Sequence, residues 1–279
     1  EAKDFEYDII TDDLVQEEGI SLLKDYGVVI SGNHPEYTTT EHHDAFQAYI
    51  NQGGRFMYMG GNGYYWRSAV HKTLPGVIEV RRGHSGTATS TSEIGEDYLE
   101  FTGELAGLWR DLGRPPQQLF GVGFISVDEG ISSYYHVLPD ARTSRAAFIL
   151  EGVNDNIVGN FGLMGGGAAG IEIDRANSDY GTPDHTIIVA RSSNHNLKST
   201  HYALEERALN CSLTEEYRLS QAYGEVVFFE TPNGGAVFAV GSMTWFGSLS
   251  HNNYDNNIST ITSNVLSRFC DPEQFILPA

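Results

Sequence analysis

Lysine is the scarcest charged residue in this sequence. Four copies (Lys3, Lys24, Lys72 and Lys198) join 13 Arg to give 17 basic side chains against 37 acidic ones, a formal charge of −20. Such an excess repels phosphate backbones and anionic headgroups, which excludes nucleic acid and polybasic-type membrane attachment. Cysteine is nearly absent. Cys211 and Cys270 allow one disulfide at most, with no disulfide framework and no thiolate metal site. No apolar run approaches the roughly 20 residues of a spanning helix. The acidic opening, Glu1–Asp13, lacks the basic start of a secretory leader, so a cytoplasmic location is the expectation. His-Glu-x-x-His, Cys-x-x-Cys, a P-loop and a complete dinucleotide fingerprint are all missing.

What is present is ample for a folded core: 279 residues, 40% hydrophobic and 11% aromatic. Carboxylate abundance with little lysine fits either a strongly hydrated, salt-tolerant surface or an ordinary acidic enzyme. The first third alternates strands and helices. Phe5–Ile10 reads as a short strand, and Asp12 or Asp13 as the cap of a helix buried through Leu14, Ile20, Leu22 and Leu23. Val28–Ile30 is a β-branched strand, Thr39 or Thr40 caps a helix running to about Asn51, and Arg55–Met59 is a third strand. This spacing predicts an α/β fold with a parallel sheet over residues 1–75. Glu1–Asp4 reads as a helix end, which points to a missing first β-α unit and a longer polypeptide; a shorter or permuted sheet is the alternative.

Residues 76–170 break the rhythm and read as an inserted segment of mixed structure: a strand at Gly76–Arg82, a loop at His84–Ser92, a helix or turn at Gly103–Leu112, and a glycine turn at Gly165–Gly167. Residues 171–279 return to α/β, with a strand at Thr186–Ala190 and a hairpin of Glu225–Glu230 and Gly235–Val240 around Pro232-Asn233-Gly234. Ile258–Phe269 forms a closing helix.

Ligands of open α/β sheets bind beyond the carboxyl ends of the strands. Behind the Val28–Ile30 strand lies Ser31-Gly32-Asn33-His34-Pro35-Glu36-Tyr37, in which His34 and Glu36 are two apart and share one side of an extended chain. An imidazole beside a carboxylate suits metal ligation and proton transfer, though a solvated turn accounts for the pair as well. Behind Arg55–Met59 lies Gly60-Gly61-Asn62-Gly63-Tyr64-Tyr65-Trp66, a glycine-flanked turn that lifts Asn62. Its carboxamide can hold a carbonyl or an oxyanion, or can simply occupy a left-handed turn. Ser193–Asn196, Ser242–Phe246 and Glu104 are weaker candidates for a pocket rim. His84, His136, His185 and His251 are isolated and read as structural.

The runs Ile30–Tyr37 and Gly53–Trp66, with Val77–Arg82, Thr102-Gly103-Glu104, Gly107–Arg110, Gly113–Gln117, Gly165–Gly170, Glu172-Ile173-Asp174-Arg175 and Val240–Trp245, make the sequence similar to the large subunits of the N,N-dimethylformamidase family over essentially its whole length. The resemblance implies a fold like class I glutamine amidotransferases. It also implies hydrolysis of dimethylformamide to dimethylamine and formate at a mononuclear Fe(III) held by two tyrosine phenolates and one glutamate. Glu36 matches that glutamate, and His34 and Asn62 match residues beside the metal thought to act on water or substrate. The two tyrosines belong to a stretch upstream of this sequence, with Tyr37 and Tyr65 as fallback ligands. A small subunit and a second large subunit are the implied partners. The rival expectations are a catalytically silent amidotransferase-like domain that binds a ligand or subunit, and metal-free hydrolysis through Ser31 or His34.

Overall fold

In the computed structural model, which describes residues 2–83, 97–143, 145–196, 198–203 and 212–278, the strands run in chain order as follows. They are β1 (Val28–Asn33), β2 (Tyr37–Thr38), β3 (Arg55–Gly60), β4 (Trp66–Val70), β5 (Ile78–Val80), β6 (Gly107–Leu108), β7 (Gly123–Val137), β8 (Ile157–Val158), β9 (Ala169–Arg175), β10 (Ile187–Ser193), β11 (Thr200–Tyr202), β12 (Glu225–Thr231) and β13 (Gly235–Ala239). The large sheet has the order β1-β3-β13-β12-β10-β7-β11, with β8 and β9 also pairing β7. The β1–β3 and β3–β13 pairings are parallel; the β13–β12, β12–β10 and β10–β7 pairings are antiparallel. The sheet is therefore mixed, and the expected parallel arrangement describes one end of it. β2, β4, β5 and β6 form a small second sheet.

The uninterrupted apolar runs of β3 and β13 follow from burial on both faces. On β3, Phe56 and Tyr58 point one way, into a cluster with Phe46, Tyr49 and Ile50 of the Thr40–Asn51 helix and with Phe120. Met57 and Met59 point the other way, towards Trp245 and towards Ile258, Ile261, Val265 and Phe269 of the Asn257–Cys270 helix. Thr39 caps the first of these helices, its hydroxyl accepting the His42 N–H at 3.2 Å.

Three expectations change. Phe5–Ile10 joins no ladder, and Tyr7 and Ile9 are exposed, so this segment is not a strand. The cap of the first helix, Asp12–Glu18, is Thr11, one residue earlier than Asp12; its hydroxyl accepts the Leu14 N–H. Of the helix or turn expected at Gly103–Leu112, the turn is found, together with the two residues of β6. Residues 76–170 divide between the two sheets, because β7 is an interior strand of the large one. The loop expected at His84–Ser92 and Cys211 both lie outside the described residues, and Cys270 is a free, exposed thiol. Among the described residues no helix is long and apolar enough to cross a membrane.

His43, on the Thr40–Asn51 helix, lies against Trp109 at 4.8 Å between ring centroids. Burial pushes its pKa down to about 3, helped by the Arg114 charge. Between the unfolded value of about 6.5 and that depressed value, the unfolded chain binds a proton that the folded chain refuses. Stability is therefore full above pH 6.5 and falls with acidification, by at most about 1.4 kcal/mol per pH unit from this group. Denaturant unfolding of His43→Leu at pH 7.5 and 4.5 is expected to show a smaller acid loss than the unsubstituted protein; equal losses would remove His43 as the cause.

Candidate active site

The register of β1 on β3, which ends with Asn33 opposite Gly60, sets the loops behind the two strands side by side. They are stitched together by backbone hydrogen bonds: Tyr64 N–H to Pro35 O at 2.7 Å, then Tyr65 and Trp66 N–H to Glu36 O at 3.0 and 2.9 Å. Gly61 is required where the turn presses on β9, because a Cβ there would lie 2.2 Å from the Glu172 carbonyl oxygen. Asn62 takes the left-handed conformation, φ 49°.

This brings His34, Glu36 and Asn62 together and adds a residue that sequence reasoning gave no role, Glu172 on β9. His34 Nε2 lies 2.5 Å from Glu172 Oε2 and 3.3 Å from Glu36 Oε2. Asn62 Nδ2 donates to Glu172 Oε1 at 3.1 Å. The contact with Glu172 raises the imidazole pKa, with the Glu172 and Glu36 charges adding and partial burial opposing. Glu36 is raised by burial first and by the Glu172 charge second. Two positions on, Asp174 faces the same turn; it is fully buried and pushed up to about 7 by burial, against the opposing hydrogen bonds from Asn62 N–H and the Tyr58 hydroxyl. The signal for both acids was in the sequence: in Ile171-Glu172-Ile173-Asp174 the carboxylates alternate with isoleucine, which places them on one face of a strand.

Glu36, Asn62, Glu172, Tyr65, Trp66 and Phe124 line a cleft of about 460 Å³. It combines carboxylates and a carboxamide with an aromatic wall, the mixture expected of a small-molecule site. Tyr65 packs edge-on to Phe124 at 5.2 Å. Tyr37 is largely exposed, its hydroxyl 3.5 Å from Arg82.

The residues present fit a cation in part. A positive charge beside Glu36 would relieve the carboxylate repulsion that raises it, and carboxylate oxygen suits a hard ion such as Fe(III). Among the described residues, however, no three His, Cys, Asp or Glu side chains are arranged to hold a metal.

Residues 1–256 match the family described as N,N-dimethylformamidase beta subunit-like, C-terminal. The chain belongs to this family. It is 38% identical over 271 residues, 96% of its length, to the N,N-dimethylformamidase beta subunit of Paracoccus aminophilus. It is also 38% identical over 274 residues, again 96% of its length, to the N,N-dimethylformamidase beta subunit of an Alcaligenes species. It spans about 35% of the length of each of these relatives.

The weaker candidates do not line this cleft. Glu104 is engaged by Arg67 and Thr40, Ser242 is fully buried against Gly170 and Thr244, and Trp245 packs on Tyr135. His185 meets the Glu230 carbonyl and His251 stacks on Phe161. His195 is a different case. Its Nε2 lies 2.7 Å from Ser192 Oγ and its Nδ1 2.9 Å from Asp128 Oδ2, the connectivity of a hydrolase triad. Ser192 also accepts the Gly224 N–H at 2.6 Å and is buried, as are His195 and Asp128. The hydroxyl is buried, and the three residues fasten β10 to β7. Ser192→Ala is expected to lower stability by about 1–3 kcal/mol in denaturant unfolding, the cost of stranding buried partners; unchanged stability would remove this fastening role.

Proposed function

We propose that this region is the catalytic part of an iron-dependent amidohydrolase that cleaves N,N-dimethylformamide and similar small N-substituted amides to amine and formate. The observation that carries the reading is His34 held between Glu36 and Glu172, beside Asn62, at the carboxyl ends of two parallel strands. Family membership supports it, since both relatives are named for this reaction. In this reading the parallel end of the sheet is amidotransferase-like, and the working enzyme contains a small subunit and a second large subunit.

Glu36 would be the ligand that these residues offer a ferric ion, with two tyrosines outside this sequence completing the set; Tyr65, on the cleft wall, and the exposed Tyr37 would be the fallback donors. When bound, the ion supplies Lewis acidity to the amide carbonyl and to water. The chain's own residues do the rest. Glu172 Oε2 lies 2.5 Å from His34 Nε2 and orients the imidazole, so His34 can take a proton from the attacking water and return it to the departing amine. One Asn62 amide hydrogen is held by Glu172, which leaves the second for the carbonyl oxygen as it gains charge. The Tyr65 and Phe124 rings limit competing water around an uncharged substrate.

The test is metal analysis with visible absorption of the full-length enzyme, where a tyrosinate-to-iron charge-transfer band is expected alongside dimethylamine release. A folded protein that takes up no iron would favour a silent binding domain. Glu36→Gln is expected to lose iron and activity while keeping its fold, and full activity would remove Glu36 from the site. Glu172→Gln and His34→Ala are expected to keep iron and to lower kcat by about 10²–10⁴-fold, the usual value of a positioned proton carrier. Iron loss in His34→Ala would make that residue a ligand or a structural support.

A further inference from the structure

We propose that Asp174 is a positioning residue of this cleft: by accepting the Asn62 backbone N–H and the Tyr58 hydroxyl, it fixes the left-handed turn from which the Asn62 carboxamide reaches Glu172. The proposal rests on the amidase reading above.

Asp174 Oδ1 accepts the Asn62 N–H at 2.7 Å, and Oδ2 accepts the Tyr58 hydroxyl at 3.0 Å. The Tyr58 oxygen in turn accepts the Gly63 N–H at 2.7 Å. Both amide hydrogens of the Asn62-Gly63 turn therefore end on one fully buried pair, with β9 on one side and β3 on the other. These partners are an amide and a phenol, neither of them a cation. A carboxylate at such a position is costly to bury, and an apolar side chain would pack the strand at less expense. What the carboxylate adds is direction. Asn62 is a non-glycine residue at φ 49°, a conformation that persists only where the surroundings impose it.

The Asn62 side chain carries this constraint outward. Asn62 Nδ2 holds Glu172 Oε1, and Glu172 Oε2 meets His34 Nε2. Slack in the turn is therefore passed to Glu172 and to the His34 ring that it contacts. Asp174 touches none of the reacting atoms, and its effect travels through Asn62.

The experiment compares Asp174→Asn, Tyr58→Phe, Asn62→Ala and the double variant Asp174→Asn/Asn62→Ala in the full-length enzyme with its subunits. It measures kcat and KM for dimethylformamide, bound iron and thermal unfolding. Asp174→Asn, which cannot serve both donors as the carboxylate does, is expected to lower kcat about 10–100-fold, the scale of a small misplacement, while KM and iron content stay nearly constant. Tyr58→Phe should act in the same direction but less. The double variant should be no slower than Asn62→Ala within about threefold, because one contact cannot be lost twice. An unchanged kcat in folded Asp174→Asn, or losses that multiply in the double variant, would overturn the proposal. If Asp174→Asn does not fold, Tyr58→Phe decides by the same criterion, and failure of both to fold assigns the pair a structural role and ends the proposal. An enzyme inert towards formamides, or an Asn62→Ala variant with full activity, sinks the amidase reading itself and the positioning role with it.

Discussion

Parallel pairing of β1 with β3 is the constraint on which the cleft depends. The register that sets Asn33 against Gly60 delivers His34 and Glu36 from one strand and Asn62 from the next to a single edge of the sheet. A slip of one residue would send every β3 side chain to the opposite face, exchanging Phe56 and Tyr58 for Met57 and Met59. The two unlike cores prevent that slip. One lies under the Thr40–Asn51 helix and is shaped to Phe56 and Tyr58; the other lies under the Asn257–Cys270 helix and is shaped to Met57 and Met59. Site geometry is thus fixed by packing well away from the reacting groups.

Electrostatically, the cleft concentrates the character of the whole chain. Glu36, Glu172 and Asp174 share a small volume with one imidazole, and burial is the first cause of the raised pKa of both Glu36 and Asp174. The arrangement is tolerable because donors are aimed at it: the Asn62 N–H and carboxamide, the Tyr58 hydroxyl and the His34 ring. The chain as a whole carries −20, and an uncharged ligand would gain nothing from that surface by steering.

Local signals made much of this legible. The β-branched run Val28–Ile30, the Thr39 cap and the glycine-flanked Asn62 each report their own conformation, and two side chains on such loops were enough to mark the edge of the sheet. Glu172 stayed unassigned because its role depends on β9 crossing to the Asn62 turn, a contact more than a hundred residues distant in sequence. The antiparallel half was equally hidden: a 15-residue strand such as β7 pairs with β8, β9, β10 and β11 in turn, and no local pattern states which. Phe5–Ile10 shows the opposite failure, where strand-like composition finds no ladder in which to pair.

Arg55, the first residue of β3, donates its guanidinium N–H groups to the carbonyls of Phe269, Asp271 and Glu273, capping the end of the Asn257–Cys270 helix. The Phe269 contact spans 214 residues, and β13, the second parallel neighbour of β3, also lies far downstream. The parallel half of the sheet therefore closes late. On a ribosome, β3 would wait with one edge unpaired until the last strand and helix emerged, a long-range closure of the kind that slows folding and exposes edges to aggregation. The strand that positions Asn62 is thus among the last parts of the sheet to become fixed.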